Sequence, residues 1–401
     1  MPTVLILGAS VAGLPIAHAL LKNNTASSNK TKVILVNPSR EFFWMIAAPR
    51  ILTKPAAFRA EQYLIPIEPG FASYPKEQFE FVHGAARAVD FQAKTVSVAL
   101  SAPASEADGP AARTIEYGYD YLVLATGSTT PSSIATPTES GGHAVLYPFK
   151  PPPPSTSTSP SPPPTSLGDL IATAQSSISQ AKRIVIGGAG PIGLETAGEL
   201  ADLPHKPSIT LISAAARVLP GLTEGASRSA ATQLASKGVY VITRRKVVGY
   251  SPEEGVVRLD NGETLSTDVY IPTTGVLPNT SYLPAGVLDE KGWVTVDAEL
   301  RVPGVENVYA AGDITSYPAR LAQRAGEHAG IVAHNLVVEI NGAAAGTRKR
   351  FAPGRAMMVV PIGAAGGTGE LWFGWVPFVW LVRLVKGRDF FIAKAKSLVF
   401  S

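Results

Sequence analysis

The chain opens on a continuous apolar run, Val4–Leu7, which stops at a glycine-rich turn and resumes with helical spacing through Leu14–Leu21. A polar loop and a second apolar stretch, Lys32–Val36, follow. Short unbroken apolar runs suit strands covered on both faces, and apolar positions three and four apart suit a helix lying on them. The pattern predicts a βαβ unit with parallel strands. The same order returns later: Arg183–Ile186, a turn at Gly188, a helix through Leu194–Ala201 and a strand over Ser208–Ile212.

Between the two units, Phe79–Val82 and Lys94–Leu100 read as strands of a meander. Ser101–Ala112, rich in small and turn residues, reads as an exposed hairpin tip. Tyr119–Gly127 is an apolar strand closing in a small-residue turn. Pro151–Pro164 is a proline/serine run that suits neither helix nor sheet. A linker is favoured there over a ligand for proline-recognising domains. Further strands are expected at Val239–Ile242, Val256–Leu259, Val269–Pro272, Trp293–Val296 and Val308–Ala311, with a helix through Leu321–Leu336.

The two turns are Gly8-Ala-Ser10-Val-Ala12-Gly13 and Gly188-Ala-Gly190-Pro-Ile192-Gly193. In such a turn the first glycine bends the chain, the second admits a pyrophosphate to the backbone, and the third lets helix and strand pack closely. The helix N-terminus then presents N–H groups and a partial positive charge to the phosphates. One such turn is a weak signal, because any tight strand-to-helix connection favours glycine. Two imply two dinucleotides on one chain, which points to a flavin and a nicotinamide exchanging a hydride.

The expected fold class is therefore α/β, with two Rossmann-like domains, the second inserted in the first, and a small C-terminal region. The boundaries read as 1–150 and 286–355 for the first domain, 151–166 for the linker, 167–285 for the second domain and 356–401 for the tail.

Two departures matter. Ser10 stands where the second glycine belongs, and its small side chain still permits close approach. The strand ends, where an acid usually binds ribose hydroxyls, carry Asn37 and Ser213 instead. An amide retains one acceptor and one donor for the ribose. Without a carboxylate to repel a 2′-phosphate, both NADPH and NADH fit, and Arg217 is weighed as a phosphate clamp against a solvated surface arginine.

At 401 residues, 45% hydrophobic and 16% charged, the chain is globular and long enough for two or three domains. Its net charge of +4 gives no argument for nucleic-acid binding. It has no cysteine, which excludes a redox disulfide and thiolate metal sites. The six histidines show no metal spacing, so no metal is expected, and His328 reads as structural. Pro2 and the immediate first strand give the expectation of no leader and no myristoylation. Leu371–Val385 is too short to span a bilayer and holds Pro377 and Arg383, so a cytoplasmic protein is expected.

Ala125-Thr126-Gly127, the second fingerprint, Thr274-Gly275-Val-Leu-Pro278-Asn279 and Tyr309-Ala-Ala-Gly312-Asp313 follow in that order. The set resembles the two-dinucleotide-binding-domain flavoproteins of pyridine nucleotide-disulfide oxidoreductase type. Ala47-Ala-Pro-Arg50, Leu122–Ser128 and Ala325-Gly-Glu-His-Ala329 make it most similar to the apoptosis-inducing-factor-like branch with ferroptosis suppressor protein and its fungal relatives.

The resemblance implies FAD in the first domain and NADH or NADPH in the second. Asp313 and Gly312 would meet the flavin's ribityl or phosphate region, Ala86 its adenine, and Arg50 the flavin's surroundings. Thr126, Gly127 and Gly275 belong to the same cofactor-binding motifs. The helix start at Ala322 would face the flavin ring. Glu195 would sit at the nicotinamide–flavin junction, its alternative being a first-turn acid favouring the helix dipole. Lys150, in Tyr-Pro-Phe-Lys, is a second catalytic candidate.

The implied activity is an FAD-dependent NAD(P)H oxidoreductase passing electrons directly to a quinone-like acceptor. The alternatives are a specialised flavin oxidase or dehydrogenase of a biosynthetic pathway and a nicotinamide-sensing interaction protein. The tail, with Trp372, Trp375 and Trp380 beside Arg383 and Lys386, reads as an acceptor site or a peripheral membrane contact. A helix packed on the core or at a dimer interface is favoured over both. The quaternary state is expected to be monomer or homodimer.

Overall fold

The computed structural model describes residues 1–26, 29–101, 113–130, 166–342, 347–354 and 357–401. The expected hairpin tip (beyond Ser101), Lys150 and the proline/serine run lie outside the described residues.

Strands Thr3–Leu7 and Lys32–Asn37 flank the helix Gly13–Ala26 and pair in parallel, Val4 opposite Val33 and Leu7 opposite Val36. The apolar run at the start is continuous because both of its faces are covered. Val4 and Ile6 point into the cluster formed with Leu14, Ala17, Ala329 and Val332. Leu5 and Leu7 point the other way, towards Val96, Val98, Leu283 and Val302. The strand Tyr121–Leu124 lies on the far side of Thr3–Leu7, and Val308–Ala310 lies beyond it, also in parallel. The chain therefore leaves this sheet and re-enters it after the second domain.

One long strand, Phe79–Asp90, serves two ladders. It runs parallel to Lys32–Asn37 as far as His83 and antiparallel to Thr95–Leu100 from Gly84 onward, with a bulge between Ala86 and Ala88. Thr114–Gly118 completes a seven-stranded sheet.

The second sheet is wholly parallel, in the order Tyr240–Thr243, Ser208–Ser213, Arg183–Gly187, Val269–Pro272. The helices Pro191–Ala201 and Glu224–Ser236 follow its first and second strands in sequence. A three-stranded antiparallel sheet, Val247–Ser251, Val256–Leu259 and Thr264–Ser266, precedes its last strand. The whole is an α/β fold of two Rossmann-like domains.

Trp293–Val296, expected as a strand, forms only isolated bridges from Val294 to Leu288 and Thr315. The reason is local. The Asp289 carboxylate accepts the N–H groups of Lys291 and Trp293, and Asp297 accepts those of Glu299 and Arg301. These side-chain turns compete with a ladder for the same donors.

The tail is a strap across both domains. Its hairpin, Met358–Ile362 with Gly366–Glu370, lies on the second domain's helices. At that contact a Cβ on Gly198 would stand 2.3 Å from Gly363 N and 2.6 Å from Ile362 C. The chain then turns through Val379–Val382 and Arg383–Gly387 and returns to the first domain as the helix Ala393–Val399. There Trp44 Nε1 donates to Phe390 O at 2.9 Å, and His18 Nε2 lies 2.8 Å from Val399 O.

Two glycine substitutions separate helix propensity from this close approach. In an open helix Gly→Ala stabilises by about 1 kcal/mol, and a Cβ on Gly330 meets no atom within 4 Å. Gly330→Ala is expected to raise the denaturation midpoint. Gly198→Ala is expected to lower stability by about 1–3 kcal/mol, because the methyl meets backbone that cannot give way. A stabilised Gly198→Ala variant would show that the hairpin does not dock there.

Candidate functional site

The two turns share one internal geometry. Gly8 and Gly188 hold φ near +107° and +109°, a region in which side chains are strained. A Cβ would lie 2.3 Å from Ala125 O at Gly8 and 2.4 Å from Thr273 O at Gly188. Gly13 and Gly193 are closed off likewise, their hypothetical Cβ atoms 1.8 and 2.0 Å from the carbonyls of Gly8 and Gly188.

Gly190 differs. Its φ of −79° and ψ of −175° suit any residue, and a Cβ there meets nothing within 4 Å. Nothing inside the protein requires that glycine, and the free space beside it would admit a ligand lying on the turn. The helix Pro191–Ala201 has no side-chain cap, which leaves its first N–H groups for an anion. Ile192, in its first turn, is exposed. Ser10 occupies the position equivalent to Gly190. The residues present fit two dinucleotides.

At the strand ends the side chains expected near ribose are held by the protein itself. Asn37 Oδ1 accepts Ala9 N–H at 3.0 Å, and its Nδ2 donates to Ser39 O. Ser213 Oγ donates to Arg217 O, and the Arg217 guanidinium donates to the carbonyls of Pro220, Leu222 and Thr223. Two other cations lie nearby. Arg244 N donates to Ala215 O and Arg245 N to Ser213 O, at 3.0 and 3.1 Å. Their backbones are thereby placed beside the end of Ser208–Ser213, and the Arg245 guanidinium donates to Arg244 O at 2.8 Å. The only sign of them in the sequence is the basic run 244–246 just after an expected strand.

The first domain's motifs converge although they are far apart in the chain. Leu277 and Pro278 pair with Thr129 and Ser128. Asn279 Nδ2 donates to Thr126 O, Thr126 Oγ1 to Asn279 O, and Asn279 N to Gly127 O. These bonds join the two crossings between domains. Gly275, at φ +125°, opens the return crossing. Ser128 Oγ donates to Asp313 Oδ2 at 3.2 Å. Gly312 lies between Ala12 and Ala325, and its φ of +79°, more than any lack of space, is what favours glycine there. The helix Ala322–Ile340 begins here, also without a side-chain cap. Ala86 lies at the bulge, opposite Val98.

His328 supports the Gly312 turn from behind. Its Nδ1 accepts Gly312 N–H at 3.2 Å, which sets the proton of the neutral ring on Nε2. Burial pushes its pKa down to about 4, and Arg324 adds to the shift while Glu327 opposes it.

Arg50 and Glu195 are both buried, and each meets the tail. The Arg50 guanidinium grips Glu199 with two bonds, at 3.0 and 2.7 Å, and donates to the carbonyls of Gly387 and Arg388. Lys54 Nζ is also 2.9 Å from Glu199. One turn earlier on the same helix, Glu195 Oε1 lies 2.5 Å from Lys386 Nζ. Burial pushes the Glu195 carboxyl up, Lys386 draws it down, and Glu199 raises it further. Lys386 has no motif around it, so its role here is not readable from sequence.

Paired nucleotide turns, a linked interdomain crossing and a glycine–aspartate turn facing a helix start define a flavoprotein with two dinucleotide domains. The chain belongs to the pyridine nucleotide-disulphide oxidoreductase family, whose profile matches residues 2–329. FAD and NAD(P)H are the cofactors of that family.

The chain is 36% identical to oxidoreductase ptaL of Pestalotiopsis fici, over 92% of this chain and 91% of that protein. It is 27% identical to human ferroptosis suppressor protein 1, over 69% and 70%. In fold it resembles NDH2 of Plasmodium falciparum in complex with NADH, at TM-score 0.74 and 12% identity, covering 100% of this chain and 97% of that one. The sulfide:quinone oxidoreductase of Aquifex aeolicus is similar at TM-score 0.73 and 18% identity, covering 100% and 92%.

The buried histidine has a pH signature. Below its ordinary pKa of 6.5 the unfolded chain binds a proton that folded His328 refuses until about pH 4. The neutral ring's contribution is thus present above pH 6.5 and lost as pH falls, amounting to about 3 kcal/mol. His18 and His83 are also pushed down by burial, so the comparison must be with a variant. His328→Gln keeps an acceptor but does not titrate, and its melting temperature is expected to fall less steeply from pH 6.5 to 4. Parallel curves for the two proteins would rule the effect out.

Proposed function

We propose that the chain is an FAD-dependent NAD(P)H oxidoreductase that delivers electrons directly to a quinone-like acceptor. The observation that carries this reading is the buried Glu195–Lys386 pair at the junction of the second domain and the tail. When bound, the nicotinamide supplies a hydride to the flavin, and the reduced flavin supplies two electrons to the acceptor.

A quinone becoming a quinol also takes up two protons; the hydride brings one with its electron pair, and an acidic group must supply the other. Lys386 Nζ holds a proton where water is largely excluded, and the Glu195 carboxylate keeps it oriented. The absence of cysteine removes the protein disulfide that would otherwise stand between flavin and acceptor. The likeness to a sulfide:quinone oxidoreductase supports the reading at the level of fold. The likeness to ptaL, named as an oxidoreductase, is equally compatible with a second reading, a flavin oxidase or dehydrogenase acting on one small molecule.

Anaerobic mixing with NADPH or NADH separates the two. Bleaching of the flavin band, reversed by a short-chain ubiquinone, is expected. A band that stays yellow would leave the second reading. In Lys386→Met, reoxidation by the quinone is expected to slow about ten- to a hundredfold, with reduction by NADPH nearly unchanged. Equal loss in both half-reactions would make the lysine a structural tie only.

The nicotinamide end of the reading favours NADPH. With Ser213 at the strand end and no carboxylate to repel it, a 2′-phosphate would meet Arg244 and Arg245. Titration calorimetry is expected to show 2′,5′-ADP binding more tightly than 5′-ADP. Arg244→Ala with Arg245→Ala is expected to weaken 2′,5′-ADP by about tenfold or more and leave 5′-ADP alone. Equal affinities for the two nucleotides in the unaltered protein would contradict the preference.

A further inference from the structure

We infer that the tail after residue 370 is a docking surface for an anionic lipid bilayer. Trp372, Phe373, Trp375, Phe378, Trp380 and Leu384 are all exposed, Phe373 at 99% and Trp380 at 64%. Single exposed apolar residues are ordinary, but six large ones within thirteen positions are not. Phe373 is doubly unfavourable in water: its ring is wholly solvated and its backbone sits in the left-handed region at φ 57°. A partner that takes up the ring offsets the first of these costs.

The surface is held rigidly from beneath. Val382 is fully buried, and a Cβ on Gly367 would lie 2.2 Å from its Cγ1, so the helix turn is seated directly on the hairpin. Phe390 is also fully buried, under the cations of Arg50 and Lys386. The outer residues are therefore not a mispacked core. Trp380, Arg383 and Leu384, spaced three and four apart, share the outer side, so a cation stands among the apolar groups.

Charge selects the occupant. Of 35 basic and 31 acidic residues in the chain, five basic ones (Arg383, Lys386, Arg388, Lys394 and Lys396) and only Asp389 among the acids fall after residue 370. The rest of the chain is thus neutral, and the whole excess of +4 sits on the tail. Lys386 is engaged by Glu195, but Arg383 stands among the apolar groups, and a second copy meeting this patch about a two-fold axis would set that cation against its own mate. Anionic headgroups supply the opposite sign, and the interfacial zone below them accepts tryptophan and phenylalanine. Among the described residues no helix is long and apolar enough to cross a membrane, so the contact is peripheral. Its use in bringing a membrane-dissolved acceptor to the Lys386 side of the molecule rests on the function proposed above; binding itself does not.

Flotation of the full-length holoprotein with phosphatidylcholine vesicles, with and without phosphatidylserine, tests the inference without turnover. Binding is expected to the mixed vesicles, weakening with salt. Trp44 and Trp293 are buried, so quenching of tryptophan emission by brominated lipid reads the three tail tryptophans. Phe373→Ser with Trp380→Ser is expected to lower the partition coefficient at least about tenfold, and Arg383→Ala about fivefold on anionic vesicles alone. Retained flavin shows that each variant is folded, and Leu384→Ser serves as a second apolar variant on the same side. The inference is overturned by protein that stays with the aqueous fraction. Binding that survives the double substitution overturns it too, as does a dimer in solution that this substitution abolishes.

Discussion

One buried guanidinium joins the three parts of this molecule. Arg50 comes from the first domain, Glu199 from the second domain's first helix, and the carbonyls of Gly387 and Arg388 from the tail. Burying a charge is costly unless its hydrogen bonds are made, and a half-broken buried pair costs about 3–5 kcal/mol. Here the carboxylate receives two bonds from Arg50 and a further contact from Lys54, and two of the arginine's other N–H groups find carbonyls. The geometry leaves little freedom in how the two domains face each other. That setting determines whether the two nucleotide turns open towards a common space.

The helix Pro191–Ala201 is the organising element. Its N-terminus presents open N–H groups beside Gly190, its inner side carries Glu195 and Glu199, and Gly198 lets the tail's hairpin touch its backbone. Asp202, just after it, takes Lys237 at 2.5 Å and lies 3.6 Å from Lys54. One helix thus combines an uncapped N-terminus, a charged inner side and a docking site for the tail. The tail in turn supplies Lys386 to Glu195 and turns its aromatic side outward. The proton supply and the surface attachment proposed above are neighbours because one strap carries both Lys386 and the exposed aromatic residues.

Much of the fold was legible because its signals are local and steric. A glycine at φ near +107° admits few substitutes, so Gly8 and Gly188 announce their turns wherever they occur. The runs Val4–Leu7 and Arg183–Ile186 read as parallel strands because both faces are covered. Where polar side chains could compete for backbone donors, the reading was poorer: Asp289 and Asp297 turn an apparent strand at Trp293–Val296 into capped loops. Side-chain partners were less legible still. Asn37, Arg217 and Arg50 have types suited to a nucleotide or flavin, yet each has its polar groups engaged by protein. Residue type states what a group can bond to, not which partner reaches it first.

The sequence by itself determined the two nucleotide turns, the order of their strands and the want of any thiol, since these follow from backbone sterics, period and composition. Tertiary structure alone decided that Thr126 meets Asn279, that Arg50 meets Glu199 and that Lys386 meets Glu195. Each of these pairs is separated by well over a hundred residues. No local rule relates such positions, because their proximity is produced by the packing of whole domains. The same packing buried one side of the tail and left its tryptophans in solvent, a division that composition alone does not contain.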